Sequence, residues 1–532
     1  MNAYYSCYFR RFCAFTAVSL FLLAAVSPAT SQTAEDGIRL TQRAPASGAR
    51  MIGMAGAGLV GIADQSALVM NPAGLGYFQR SSFEATLNMT STSDETLYRT
   101  PMPAASLSSD LRETGIGSLS YVYKVPTTRG SLVLGAAFNQ VNTYNRDLAF
   151  AGENSASSIS RSFLPYDDEY EIAFDNDGFA FPRFFNETPE LAYLGGAIEF
   201  LFEEVETGGY PFYEAVAPST RVAQDGEVVE EGRLSELSFG GAAEAVPGVM
   251  AGASINLAFG SYEFRSRFTE DDAFNENRPE DYIVILENGD ELRGFNFLRY
   301  TEGLETDLVG INGRFGVSAT FSAAVRAGVV LETPSYYNVT EEFHRTIETF
   351  FDEGGSLSHG GEPGDAGEGS FEYSITTPWR LGGGVAFAAA GLTVSADAEY
   401  VDWSQLRFSA SSDGAYFDAV NDDIRDNLEG VFNTHFGVEY NFTNLSVRGG
   451  LAFQPDPTSS RRADSGDDLD RDRTFFSLGA SYRVAAQLFL DAGWMQERFD
   501  DLYVPYRDVE TPPIVEEGVV RNRFLVGVRY QF

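Results

Sequence analysis

Six residues that could bind a charged or polar group lie where polar and apolar residues alternate along the chain. They are Arg314, Asp397, Glu399, His435, Arg448 and Arg529. An arginine can hold the carboxylate of a ligand, and an aspartate or glutamate can pair with a cation. Side chains of both signs can also pair with one another across an enclosed space. We favour this simpler interpretation, which requires elements that turn all six residues inward.

The sequence offers little for catalysis. Its three histidines are His344, His359 and His435, and the motifs His-Glu-x-x-His and Gly-x-Ser-x-Gly are absent. The acidic run at 464–472 lacks the glycine and the terminal glutamate of an EF-hand calcium loop, so it is predicted to be a solvated loop. The sequence therefore predicts no enzyme, no metal site and no cofactor.

The charge balance limits the possible partners. The chain carries 37 Lys and Arg against 76 Asp and Glu, which gives a formal net charge of −39. Nucleic acid is an unsuitable partner, because phosphate binding needs clustered positive charge. An acidic surface would instead keep exposed loops soluble.

Residues 1–31 have the pattern of a secretory signal peptide. Arg10 and Arg11 precede an apolar run at 13–26, and small residues follow at 29–31. Both cysteines, Cys7 and Cys13, lie in this segment. We expect a mature chain that begins near Gln32 and contains no thiol.

The end of the chain shows the element that could turn charged residues inward. Phe524, Val526, Val528, Tyr530 and Phe532 alternate with small or polar residues, so one face of this strand is wholly apolar. Similar runs of about ten residues recur from residue 82 onward, the length that a tilted membrane strand needs. An arginine facing lipid near the midplane would cost about 2–4 kcal/mol, so the six charged or polar residues are predicted to face the lumen.

The connections between these runs alternate in length. Short connections at 388–391 and 440–444 contrast with long polar stretches at 143–190, 203–233, 340–369, 409–427, 455–473 and 498–518. Short turns at one rim and long loops at the other are typical of an outer-membrane barrel. The predicted fold is an all-β transmembrane antiparallel barrel of about 14 strands, within a range of 12 to 16.

A segment rich in small residues precedes the first strand. Its glycines match the dinucleotide-binding fingerprint only formally, since no βαβ unit surrounds them. We predict a polar, mobile stretch at 35–49, a short helix over 56–70 and then a turn. The residues that could give this segment freedom to move, or fix its turn, are Gly56, Gly58, Gly61, Asn71, Pro72 and Ala73.

Three stretches resemble the FadL/TodX-type outer-membrane channels for hydrophobic compounds. They are the block at 49–75 with Asn71-Pro72-Ala73, the run from Thr377 to Ser404, and the run from Arg448 to Tyr482. The resemblance implies a 14-stranded barrel with an N-terminal plug inside its lumen. With the signal peptide at 1–31, we predict the plug at 32–80 and the barrel at 81–532. It also implies passage of long-chain fatty acids or aromatic hydrocarbons, often through a lateral opening where an early strand kinks.

The function predicted is passive, plug-gated transport of hydrophobic or amphipathic molecules across the outer membrane, with long-chain fatty acids as the preferred substrate. The expected partners are a hydrophobic small molecule or fatty acid, outer-membrane lipid and the barrel-assembly machinery. The alternative is a docking protein of a secretion system that binds through its long acidic loops. A continuous apolar path would favour transport, whereas a lumen sealed by loops and salt bridges would favour docking.

Overall fold

Fourteen antiparallel strands form a closed barrel in the computed structural model. The structure describes residues 32–532 apart from gaps at 61–62, 103–105, 175–179, 203–211, 217–220, 287–288, 363, 411–415 and 459–470. The predicted signal peptide therefore lies outside the described residues, as does most of the acidic run at 464–472. The barrel is closed because the first strand pairs with the second on one side and with the last on the other.

The barrel strands are numbered in chain order, and four of them contain a short break. They are β1 (Ser82–Arg99), β2 (Ser106–Lys124), β3 (Leu132–Thr143, continuing as Arg146–Asn154), β4 (Val222–Val246), β5 (Val249–Asp271), β6 (Glu291–Thr320), β7 (Val325–Glu332, then Tyr336–Glu353), β8 (Glu368–Thr376, then Arg380–Ala389), β9 (Leu392–Asp402, then Arg407–Ser409), β10 (Gly430–Asn441), β11 (Leu445–Gln454), β12 (Arg473–Arg483), β13 (Leu488–Tyr503) and β14 (Ile514–Gln531). Each strand follows its neighbour in the chain, so the barrel is a simple meander.

The outward apolar residues form a band, which we call the belt. In β14 its members are Phe524, Val526, Val528 and Tyr530, followed by Phe532, and they are 39–61% exposed. Arg523, Leu525 and Arg529 on the other face are buried. Lipid contact for one face and enclosure for the other explain this alternation, and the predicted fold class is confirmed.

The strands are longer than the sequence predicted. β6 has 30 residues and β4 has 25, so both continue far beyond the belt as a stem. Parts of the predicted loops at 143–190, 203–233, 340–369 and 498–518 are therefore strand, which corrects that prediction. Above the membrane the outer face meets water and loses its apolar alternation, yet the backbone ladder continues because it needs only a neighbouring strand.

The segment before β1 also differs from its prediction. Residues 35–49, predicted to be mobile, include helix α1 (Ala34–Thr41), whose capping box joins Thr33 and Asp36. The predicted helix over 56–70 is wrong: a short helix α2 (Ala49–Ile52) precedes it, and a 3-10 helix covers Gln65–Leu68. The predicted turn is the start of a second 3-10 helix, Pro72–Tyr77. Positive φ at Ala55 and Gly56 prevents a continuous helix here.

The long connections at the outer end fold over the barrel mouth, and we call this region the cap. It contains the helices α3 (Ile159–Ser162) and α4 (Glu187–Leu194) and the strands Tyr170–Phe174, Ala180–Phe184, Glu199–Phe202, Phe212–Val216, Ile283–Ile285 and Ser356–His359; the 3-10 helix Trp403–Gln405 and helix α5 (Asp418–Asn427) lie between β9 and β10. Its apolar core includes Phe150, Phe163, Leu191 and Phe268, each 5% exposed or less. None of the described helices is long and apolar enough to cross a membrane.

Candidate functional site

Residues 32–78, the inner segment, contact inward-facing residues around the barrel wall. The closest contacts occur at ten glycines that form five register pairs across neighbouring strands. The pairs are Gly135 with Gly240, Gly252 with Gly316, Gly328 with Gly384, Gly437 with Gly450, and Gly479 with Gly493. A Cβ on any of the ten would lie within 3.3 Å of an inner-segment atom. We call this ring the glycine collar.

The collar brings backbone against backbone. A Cβ on Gly252 would lie 2.5 Å from Ala73 N, and one on Gly479 would lie 2.9 Å from Gly53 Cα. Real Cβ atoms need about 3.4 Å or more, so larger side chains cannot occupy these wall positions unless the inner segment moves. At this level the inner segment therefore lies against the wall at five positions around the barrel.

The residues of the predicted turn are held inside the collar. Asn71 is 1% exposed, its Nδ2 donates to Leu59 O at 3.1 Å, and its Oδ1 accepts from Ala73 N at 3.1 Å. Pro72 and Ala73 pack on Gly252. The side chain of Asn71 therefore satisfies backbone groups at the start of the 3-10 helix.

The three glycines predicted as site residues of the inner segment, Gly56, Gly58 and Gly61, do not share one environment. Gly56 has φ +79°, and a Cβ there would lie 3.0 Å from Pro45 C. Gly58 precedes Leu59, whose N–H donates to Asp397 Oδ2 at 2.9 Å. Gly61 lies outside the described residues. The site residues predicted in the inner segment thus bind it to itself and to the wall.

Four of the predicted lumen-facing residues line one cavity of about 100 Å³ between the inner segment and the wall. They are Arg314 of β6, Asp397 and Glu399 of β9, and His435 of β10. Arg448 and Arg529 do not reach it. Arg448 pairs with Glu439, which also binds Arg50, and Arg529 Nε lies 3.2 Å from Asp491 Oδ2.

The charges of the cavity are paired with one another. Arg314 is 1% exposed and binds Glu236 at 2.5 Å and Glu332 at 2.7 Å. Arg43 of the inner segment binds the same Glu332 at 2.7 Å. Burial acts to lower the pKa of Arg43, but Glu332 and Glu236 raise it above its usual value, so Arg43 stays charged.

The remaining polar residues of the cavity also have partners. Arg380 lies 3.1 Å from Glu399, and His435 Nδ1–H donates to Ala55 O at 2.9 Å. The pairing interpretation describes the arginines and glutamates of the cavity, but Asp397 forms no ion pair among the described residues and its Oδ2 accepts from Leu59 N instead. Sequence reasoning missed Glu236 and Glu332; the alternation of Glu236 with Leu237 and Phe239 was a signal that it faces inward.

The wall is incomplete between β2 and β3. Their ladder runs from Lys124 with Val133 to Ser118 with Asn139 and stops there. Among the described residues, positions 106–117 of β2 pair with β1 but form no backbone pairs with β3. β3 breaks after Thr143, and its register against β4 shifts between Gln140 and Asn142. We call this break in the ladder the wall gap.

Beyond the break, β3 stays paired with β4, from Arg146 with Glu230 to Asn154 with Val222, and it packs on inward-facing residues of β1. Asp147 N donates to Asp94 Oδ2 at 3.2 Å, and Thr96 Oγ1 donates to Ala149 O at 2.6 Å. The rings of Tyr98 and Phe150 lie 4.9 Å apart. These contacts place the continuation of β3 inside β1, so it cannot close the gap.

The gap opens at the outer edge of the belt, where Ile116 of β2 is 57% exposed. Behind it lies an apolar cluster that includes Val141, Tyr144, Leu234 and Tyr262. The inner segment covers it from within: Ala44 N donates to Val141 O at 2.9 Å, and Tyr144 OH donates to Leu40 O at 2.9 Å. An apolar interior and the lipid surface are thus separated by a thin barrier.

Comparison with known proteins agrees with this architecture. Residues 319–509 match the family described as outer membrane protein transport protein (OMPP1/FadL/TodX). The resemblance found in the sequence is confirmed, and the chain is an outer-membrane β-barrel. No curated protein matches the chain.

Two solved structures show the same fold. The crystal structure of the P. putida toluene transporter TodX is 13% identical, with a TM-score of 0.50 over 92% of this chain and 99% of that one. A Pseudomonas aeruginosa FadL homologue gives the same identity, TM-score and coverage. At this identity the likeness concerns the fold alone.

Proposed function

We propose that this outer-membrane barrel, whose residues 319–509 match a family of transport proteins, passes hydrophobic molecules passively between its interior and the membrane through the wall gap. The observation that carries the proposal is the position of the gap. It lies between an apolar interior cluster and the edge of the belt, while the glycine collar holds the inner segment across the axial route. Apolar molecules gain about 0.8 kcal/mol for each methylene that leaves water, so such a path needs no energy source.

The proposal requires movement near the gap. The cavity of about 100 Å³ is smaller than the 300–1,000 Å³ of typical ligand pockets. Residues 40–47 lie behind the gap and are the part of the inner segment that must shift to admit a ligand. A ligand that prefers the shifted arrangement would populate it.

The plug itself then has two parts. We propose that the part at 49–75, with Gly56, Gly58, Gly61 and Asn71-Pro72-Ala73, is a seal held by the collar, and that the gate lies at 40–47. The signal peptide at 1–31, the plug at 32–80 and the barrel at 81–532 are proposed as the functional divisions of the chain. This differs from a plug that moves as a whole, because the collar holds the seal by close contacts from ten wall positions.

The charges favour a neutral substrate over a fatty acid. A buried carboxylate needs a cationic partner, and removing one partner from a buried pair is costly. Arg43, Arg314 and Arg380 at the cavity are each paired with a carboxylate of the protein. The toluene transporter TodX, which shares the fold, is named for a neutral aromatic hydrocarbon. We therefore propose neutral hydrophobic compounds as the first substrate class, and long-chain fatty acids as the second.

Uptake measurements test this proposal. Radiolabelled toluene and oleate are offered to cells of a host that lacks its own channel of this kind, with and without the protein in the outer membrane. We expect faster toluene uptake with the protein and a smaller change for oleate. Faster oleate uptake alone would reverse the substrate order, and unchanged uptake of both would contradict transport.

The docking alternative keeps one observation in its favour, because the cap core seals the barrel mouth. The cap also presents Tyr166 and Phe185 to solvent, each more than half exposed. Docking would be supported by two results together. Uptake would be absent, and the wild-type cap would capture a protein from the same cells that a chain lacking residues 155–221 does not capture.

A further inference from the structure

We infer that Glu113 is the latch of the wall gap, a positioning residue that decides how readily β2 and β3 part. The inference rests on the proposed function only for its consequence in transport; the latch itself is a statement about the wall. Its chemistry is that of a carboxylate that accepts hydrogen bonds from neutral donors, and attracts a nearby guanidinium, on the opposite side of a missing ladder.

Glu113 reaches across the gap to three side chains. Its Oε2 accepts from Asn145 Nδ2 at 2.8 Å and from Thr143 Oγ1 at 3.3 Å. Its Oε1 lies 3.8 Å from Arg233 Nη1. Thr143 and Asn145 flank the break in β3, and Arg233 belongs to β4. One side chain of β2 thus contacts both strands on the far side.

The neighbouring sequence makes room for this arrangement. Gly115 lies two residues after Glu113 on the same face of β2, and a Cβ on Gly115 would come within 3.3 Å of Arg233 Nη1. Arg233 pairs with Thr143 in the ladder, so its guanidinium must pass over Gly115 to reach Glu113. The absence of a side chain at 115 lets the contact span three strands.

The backbone carbonyls of β3 beside the break do not rely on β2 for their hydrogen bonds. Val141 O accepts from Ala44 N at 2.9 Å, and Gln140 O accepts from Arg523 Nη2 at 3.1 Å. Parting β2 from β3 would leave these carbonyls satisfied. Within the described part of the chain, Ser109 Oγ, which donates to Asp147 O, is the only side chain besides Glu113 that hydrogen-bonds residues 106–117 of β2 to β3. Opening therefore costs mainly the contacts of Glu113.

A cysteine reporter tests the latch without reference to transport. Val141, 4% exposed and directly behind the gap, is replaced by cysteine in a chain that also carries Cys7→Ser and Cys13→Ser. We expect Glu113→Ala to raise the rate of N-ethylmaleimide labelling about fivefold, which corresponds to about 1 kcal/mol of net hydrogen bonding. Glu113→Gln, which keeps one acceptor oxygen, should give a smaller increase.

Two controls separate the latch from general loosening. Ala452→Cys, buried in β11 away from the gap, should label at an unchanged rate in the Glu113→Ala chain. Glu95→Ala on β1, whose ladders to both neighbours are intact, should leave the Val141→Cys reporter unchanged. Equal labelling of Val141→Cys in the wild-type and Glu113→Ala backgrounds would overturn the latch.

Transport supplies the second readout. A pair of cysteines, Glu113→Cys with Asn145→Cys, is joined by a short bifunctional methanethiosulfonate that dithiothreitol cleaves. We expect joining to abolish toluene uptake and cleavage to restore it. The matched pair Ser93→Cys with Val520→Cys, across the intact ladder of β1 and β14, should have no effect. Faster labelling in Glu113→Ala without toluene uptake in any chain would contradict the proposed function and leave the latch standing.

Discussion

The glycine collar and the wall gap differ in how neighbouring strands of the barrel are joined. At the collar, neighbouring strands keep complete ladders, and paired glycines let the inner segment touch the wall backbone. At the gap, the ladder is missing and side chains of Glu113, Thr143, Asn145 and Arg233 take its place. The first arrangement is hard to open and the second is easy.

The difference follows from how each contact resists separation. Parting a ladder leaves backbone donors and acceptors unpaired, which is costly where lipid cannot replace them. Parting the gap exposes side-chain groups at the belt edge, where water can bind them. Regions that must open are drawn from the least stable parts of a structure. The barrel thus has a rigid seal on its axis and a weak point in its wall.

The largest effect should come from filling the collar. A Cβ on Gly450 would lie 2.5 Å from Met54 O, whereas one on Gly449 would meet its nearest atom at 3.8 Å. We expect Gly450→Leu to prevent seating of the inner segment and to abolish the folded, heat-modifiable form, since overpacking against backbone costs more than about 3 kcal/mol. Gly449→Leu is the matched control and should fold. Similar yields of both variants would show that the collar is not tightly packed.

A smaller effect is expected from the turn inside the collar. Asn71→Ala removes three hydrogen bonds, from Nδ2 to Leu59 O and Val329 O and from Ala73 N to Oδ1, worth about 1 kcal/mol each. The barrel should insert normally, because its own ladder holds it closed. We expect a rise in ion conductance across a planar bilayer and no change in labelling of Val141→Cys. Increased labelling would mean that the seal and the gap are coupled and would weaken the comparison.

The smallest effect should come from the cation of the latch. Arg233 is 53% exposed and lies 3.8 Å from Glu113, and pairs this open are worth about 0.2–1 kcal/mol. Arg233→Gln should therefore change the labelling rate of Val141→Cys less than about fivefold. High salt should reduce the difference between Arg233→Gln and the wild type, because it screens exposed pairs. A change as large as that in Glu113→Ala would show that the ion pair, not the two neutral donors, closes the gap.

Some features of the site could be read from the sequence, and others could not. Alternation alone indicated that Arg314, Asp397, Glu399 and His435 share one face of their strands, and the structure places all four at one cavity. It did not indicate that Glu236, Glu332 and Arg43 are partners at this cavity, because they come from other strands and from the inner segment. Periodicity indicates which face a residue occupies, but it does not indicate which residue stands opposite.

The sequence by itself determined the class of fold, because a side-chain period of two and a lipid-facing surface demand alternation wherever a strand crosses the membrane. Only the tertiary structure decided the collar and the gap. Gly252 and Gly316 lie 64 positions apart, and Glu113 and Arg233 lie 120 positions apart. Strand register, set over these separations, brings the glycines level and interrupts the ladder at β3. Register depends on all the strands closing together, and no local pattern records it.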